Sequence, residues 1–231
     1  MAAPALPRGF RVTGRDLEIV RWIGRLRFAE AEQVALRFTM DRRNAYRRLR
    51  GLVAMGLLEH RRVFHAQPGV YAATRFGLGS AELRLPRARL DIRTYQHDRI
   101  AAGVLIALEE EFGTAAVVTE RELRSHEAGN PKRLRYAVRR GGERTRRGLH
   151  FPDLVVHRDG GLSLAVEVEL SAKGRTRLDS IVAAYVRARH IAAVRYYAAP
   201  LAVRGVERAV ARAHARQLFD IQALEASRCI L

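Results

Sequence analysis

The sequence predicts a two-part protein of the α/β class (α+β), in which a small helix-and-hairpin domain precedes a mixed sheet flanked by helices. Three observations carry that expectation. The first third holds three short helical patterns followed by a hairpin pattern, and two apolar runs flank an Asp-Gly-Gly turn at 159–161. Helix and strand patterns then alternate towards the C-terminus. With 231 residues, 48% of them apolar, the chain has material for two cores. The expected domains are 10–85 and 92–231.

In the first domain, "VTGRDLEIVRWIGRL" places Leu17, Val20, Ile23 and Gly24 on one stripe, and Thr13 with Asp16 forms a capping-box start. "EAEQVALRF" gives a second helix with Val34, Ala35 and Phe38 on one side. The third, "RRNAYRRLRGLVAMG", has an apolar face of Ala45, Leu49, Leu52 and Val53. Its other face carries Arg42, Arg43, Asn44, Arg47, Arg48 and Arg50, and Gly56 ends it. "LLEHRRVFHAQPGVYAAT" reads as a β-hairpin around "AQPG", with Arg61 and Arg62 on it. Helix, helix, Arg-rich helix and hairpin is the order of a winged helix-turn-helix. There the third helix enters the major groove and the hairpin meets the flanking backbone.

Charge supports a nucleic-acid partner. The 42 Lys+Arg against 24 Asp+Glu give a net charge of +18, and nearly all the cations are Arg. Residues 1–90 hold 18 Arg against 7 acids. Such an excess points to a polyanion, expected to be double-stranded DNA, since Arg pairs with both guanine edges and phosphates. A solvated Arg-rich face in a high-GC organism, or a winged helix used for protein contacts, are the alternatives. The single cysteine, Cys229, excludes a disulfide framework and a cysteine zinc site. No apolar run approaches the roughly 20 residues of a membrane span, and the start lacks the apolar stretch of a signal peptide. A cytoplasmic protein without a membrane partner is expected.

The second half opens on a long helix from about Thr94 to Phe112, with Ile100, Val104, Ala107 and Leu108 as its stripe; His97 and Asp98 at its head are read as structural. "AAVVTERELRSH" follows as a strand running into a short helix. The segment 132–147 is dense in cations, among them Lys132, Arg133, Arg135, Arg139 and Arg140. It reads as a mobile arm engaging phosphate by charge, with Tyr136 available to stack on a base. "FPDLVVHRDGGLSLAVEVELSAK" then puts Asp153, Glu167 and Glu169 into a hairpin. Alternation places Glu167, Glu169, Ser171 and Lys173 on one face, and pairing around the turn brings Asp153 near the two glutamates. These acids either sit on a wet face or hold a hard cation such as Mg or Mn, which would activate water and neutralise a phosphodiester transition state. A helix (Leu178, Ile181, Val182, Tyr185), a buried strand "IAAVRYYAA" and a last helix "VRGVERAVARAHARQLF" complete the pattern.

This order, with Pro152-Asp153, thirteen intervening residues and Glu167-Val168-Glu169, resembles the PD-(D/E)XK nuclease superfamily over about 94–215. The resemblance implies metal binding by Asp153 and Glu167 and water activation by a lysine two positions on. That slot holds Glu169, so Lys173 is the available substitute. The whole chain, joining "RDLEIVRWIGRLRFAEAEQVALRF" and "RRLRGLVAMGLLEHRRVF" to "TERELR" and "PDLVV…GGLSLAVEVELS", resembles the replication-relaxation family of actinobacterial plasmids, phages and integrative elements. Members of that family often carry an acidic pair at this strand. The resemblance implies a role in mobile-element DNA transactions, with other replication or transfer proteins as candidate partners. Two readings follow. In one, the winged helix finds a DNA site and a degenerate nuclease-like domain serves as a second binding module. In the other, the winged helix delivers a Mg- or Mn-dependent nuclease or nickase with Asp153, Glu167, Glu169 and Lys173 as its catalytic set.

Overall fold

The computed structural model describes residues 10–128, 135–141, 148–158 and 163–224. Over these the protein is mixed α/β, with eight α-helices and a mixed five-stranded sheet. Two units divide at Ile106/Ala107, inside the long helix.

In the first unit, α1 (Gly14–Arg25) starts on the predicted capping box. The Thr13 N–H donates to Asp16 Oδ2 at 2.7 Å and the Asp16 N–H donates to Thr13 Oγ1 at 3.3 Å. Strand β1 (Ala29–Glu30) leads into α2 (Ala31–Arg37), and Asp41 caps α3 (Arg42–Ala54) by accepting the Asn44 N–H at 2.9 Å. The predicted apolar face of α3 is buried through Ala45, Leu49 and Leu52. The predicted hairpin forms as β2 (Leu58–Arg61) and β3 (Val70–Ala73), antiparallel from Leu58↔Ala73 to Arg61↔Val70. Strand β1 adds to the other side of β3. It is not legible in the sequence because two residues are too short to show a period. Nor is α4 (Arg75–Ser80), where Thr74 is the cap. Gly77 is required there because a Cβ would lie 2.0 Å from the Leu57 carbonyl oxygen. Helix α5 (Tyr95–Phe112) matches its predicted span. At its head Asp98 is structural as expected, accepting Arg27 Nη1 at 2.8 Å and the Thr94 hydroxyl at 2.9 Å.

One residue of the α3 basic face, half-buried, turns back onto α1 instead. Arg48 Nε donates to Asp16 Oδ1 at 2.8 Å, its Nη2 pairs with Asp16 Oδ2, and its guanidinium lies 4.4 Å from the Phe10 ring centre. Burial alone would push the Asp16 carboxyl up; hydrogen bonds from Arg48 and Thr13 outweigh it and hold the pKa below the usual carboxylate range. A lowered carboxyl stabilises the fold above its ordinary pKa, and that stability is lost as pH falls through the lowered value. Asp16→Asn should therefore lower the thermal midpoint at pH 7 and narrow the gap to wild type below about pH 4. A pH-independent gap in thermal melts would contradict the role given to this pair.

The second unit contains β4 (Val117–Thr119), α6 (Glu120–Ala128), β5 (Val138–Arg139), β6 (Leu149–His150), β7 (Leu154–His157) and β8 (Ser163–Glu169). After these come α7 (Arg175–Arg187), β9 (Ile191–Ala198), α8 (Pro200–Arg212) and β10 (Phe219–Ala223). The sheet order is β10-β9-β8-β7-β4; β8, β9 and β10 are parallel, and β7 is antiparallel to both β8 and β4. All seven residues of β8 are buried, the state of a central strand covered on both faces. Helices α7 and α8 cover one face, packing Leu178, Ile181, Val182, Tyr185, Val206 and Val210 against Ala165, Val194 and Tyr196.

Two expectations are corrected. The last helix stops at Arg212, and "FDIQA" forms a fifth strand beside β9. Residues 135–140 are not part of a mobile arm: β5 pairs with β6, the Arg140 N–H donates to the Gly148 carbonyl at 2.8 Å, and the Glu127 carboxylate accepts the N–H groups of Arg135, Tyr136 and Ala137 at 2.8, 2.7 and 3.2 Å. Tyr136 is 3% exposed and its hydroxyl sits 3.2 Å from His157 Nε2, so it is a core residue and not a base-stacking platform. No helix among the described residues is long and apolar enough to cross a membrane.

Candidate nucleic-acid interface and carboxylate centre

In the first unit, the six polar residues predicted for the outer face of α3 divide by environment. Arg43, Arg47 and Arg50 are exposed and, at i, i+4 and i+7, share one face. Among the described residues no carboxylate pairs with them. Arg42 is held 2.7 Å from Glu32 Oε1 and packs over the Tyr46 ring, 5.6 Å from its centre. Asn44 turns back onto its own cap, its side-chain amide donating to Asp41 Oδ2. Arg48 is bound to Asp16, as above. On the hairpin, Arg61 pairs with Glu59 at 3.0 Å and Arg62 is exposed. The field between helix and hairpin is positive: burial first, then the charges of Arg62 and Arg50, push the His60 imidazole below its ordinary pKa. Arg43, Arg47, Arg50 and Arg62 are thus the cations left for an external anion.

In the second unit, the predicted carboxylates come together. The register Leu154↔Val166 continues to place Asp153 opposite Glu167, with Glu169 two residues on along the same face. Each carboxylate is engaged by the chain itself. Asp153 Oδ2 accepts the Val168 N–H at 2.8 Å. Glu167, 3% exposed, accepts from His150 Nε2 at 2.7 Å and from the Tyr185 hydroxyl. Glu169, also 3% exposed, is ion-paired with Lys173. Apart from that ion pair, Glu169 Oε2 is buried without a directed hydrogen bond. The strand ends at Glu169, so strand alternation does not extend to Lys173, whose ammonium nonetheless pairs with Glu169.

His150 and Tyr185 carry no site signal in the sequence. His150 lies hidden at the end of an Arg-rich run, and Tyr185 counts only as one apolar position of α7. Burial would lower the His150 pKa; the charge and hydrogen bond of Glu167 outweigh it and raise the imidazole above its ordinary value. Burial would raise Glu167; His150 and Tyr185 outweigh it and lower the carboxyl. Each partner favours the charged form of the other, and the Tyr185 phenol is a second donor to the carboxylate. Burial and then the charges of Glu167, Glu169 and Asp153 push the Tyr196 hydroxyl well above its ordinary pKa.

Among the described residues, no three His, Cys, Asp or Glu side chains converge as a metal-ligand set. The oxygen donors fit a hard cation in chemistry, and Glu169 Oε2 is an undirected buried acceptor. Such an ion would have to displace the His150 and Lys173 cations. Of the basic segment, Lys132 and Arg133 lie outside the described residues. Arg135 is exposed, with its guanidinium 5.3 Å from the Tyr136 ring centre, and Arg139 and Arg140 are half-buried. Comparison with family models, curated proteins and solved structures gave no match.

Proposed function

We propose that the protein is a sequence-directed DNA-binding protein of a plasmid, phage or integrative element, acting in replication, transfer or its regulation. Its first unit is read as a winged helix-turn-helix and its second as a PD-(D/E)XK-like domain whose nuclease chemistry is degenerate. The observation that carries the reading is the exposed Arg43, Arg47 and Arg50 face of α3 beside the Arg62 hairpin. A helix presents guanidinium groups in this way to a major groove, with the hairpin on the adjoining backbone. Acids tied to His150 and Lys173 favour binding over hydrolysis in the second unit. Selection from a pool of random duplexes at physiological salt should converge on a short motif; recovery of unrelated sequences would count against sequence direction.

A Mg- or Mn-dependent nuclease is the second reading, favoured by the shared face of Asp153, Glu167 and Glu169 and by the undirected Glu169 Oε2. Those three residues would hold the ion, which would supply Lewis-acid activation of water. In that reading Lys173 orients Glu169 and neutralises it while the ion is absent. Lys173→Met removes the competing cation, so Mn²⁺ binding measured by calorimetry should tighten and vanish in Lys173→Met/Asp153→Ala. Equal heats for wild type and both variants would exclude a carboxylate-held ion.

A further inference from the structure

The arginines of the α7–α8 layer have no part in either site. Ala202, Val206, Ala209 and Val210 turn one face of α8 into the core, which leaves Arg204, Arg208 and Arg212 at i, i+4 and i+8 on the outward face with Leu201, 65% exposed. On α7, Arg177 and Arg187 are exposed. The two acids of these helices leave Arg204 and Arg208 unneutralised. Asp179 of α7 is consumed by Arg212, whose Nε donates to Oδ1 at 3.1 Å, and by Arg175, leaving Glu207 as the one acid of α8. Arg204 and Arg208 have no carboxylate partner among the described residues.

We infer that this outward face of α8 is a second phosphate-contacting surface, for the backbone of a DNA duplex, carried by Arg204 and Arg208. Arg steps of four residues advance about 6 Å along a helix, on the order of two nucleotides at 3.4 Å each along one strand. Phosphate contact asks only for charge at roughly that spacing, with no base-reading geometry. Among the described residues the face carries no aromatic residue for stacking, which favours duplex backbone over unpaired bases. The inference rests on the DNA-binding reading, and it makes the second unit a contributor of affinity without sequence preference.

The test is the salt dependence of full-length chain binding to a 30-bp duplex, followed by fluorescence anisotropy in wild type, Arg204→Gln/Arg208→Gln, Arg204→Lys/Arg208→Lys and Arg43→Gln/Arg47→Gln. The α8 glutamine pair should reduce the slope of log affinity against log salt by about 1 to 2, at about 0.9 for each phosphate left without its arginine. The lysine pair should keep the wild-type slope, because charge alone is needed. A glutamine pair with the wild-type slope, while Arg43→Gln/Arg47→Gln weakens binding, would overturn the α8 surface and leave the DNA-binding reading standing. Preference of wild type for single-stranded RNA of equal length would overturn the duplex assignment. No binding by wild type would remove the reading on which the inference rests.

Discussion

Glu167→Ala is expected to destabilise the protein by about 3–5 kcal/mol, the cost of leaving one member of a buried ion pair alone. Glu167 is 3% exposed and is the common acceptor of His150 and Tyr185. Its removal leaves the His150 imidazole and the Tyr185 phenol without their shared acceptor, beside a methyl-sized side chain. For a chain of this size that corresponds to a fall of roughly 6–20 °C in thermal midpoint. Glu167→Gln keeps the volume and one acceptor but not the charge, so it costs less. The pH dependence separates charge from packing. A lowered carboxyl contributes above its ordinary value of 4.5 and loses that contribution as pH falls. A raised imidazole contributes below its ordinary 6.5 and loses that contribution as pH rises through its folded value. The gap between wild type and Glu167→Gln should therefore be widest between about pH 4.5 and 6.5 and shrink on both sides. Urea unfolding across that range reads it directly, and an alanine variant within about 0.5 kcal/mol of wild type would show that the pair does not hold the fold.

Arg43→Ala/Arg47→Ala is expected to weaken binding to the selected duplex by at least about 30-fold, taking about 1 kcal/mol as the lower limit for each arginine–base interaction removed. Both side chains are exposed on one α3 face, so the fold should be unaffected. Arg42→Ala is the informative contrast. Arg42 is already neutralised by Glu32, and its loss should cost little affinity. If Arg42→Ala weakened binding as much as the double variant in a shift assay at fixed salt, the division of the α3 arginines into bound and available groups would be wrong.

Much of this arrangement is visible in the chain, because local rules act on near neighbours. Thr13 with Asp16 announces α1, and the 3.6-residue spacing of Ala45, Leu49 and Leu52 sets the buried face of α3. Period-two alternation places Asp153, Glu167 and Glu169 together. What stays hidden depends on contacts distant in sequence. Arg48 matches its neighbours on a helical wheel, and only the packing of α1 against α3 delivers Asp16 to it, 32 residues earlier in the chain. His150 meets Glu167 across 17 residues and sits just after an Arg-rich run whose charge draws attention away from it. Helix α8 gives no stop signal because His214, not a glycine, takes the left-handed conformation after it at φ 50°. The apolar spacing therefore runs on into Phe219 and conceals β10.

The first unit is proposed to direct the protein to a particular duplex. That direction is tested most directly by measuring the affinity of the wild-type chain for the selected duplex and for a scrambled duplex of the same length and composition, at the same physiological salt. The expected result is a ratio of roughly 10³ or more in favour of the selected site. Equal affinity for the two duplexes would contradict it.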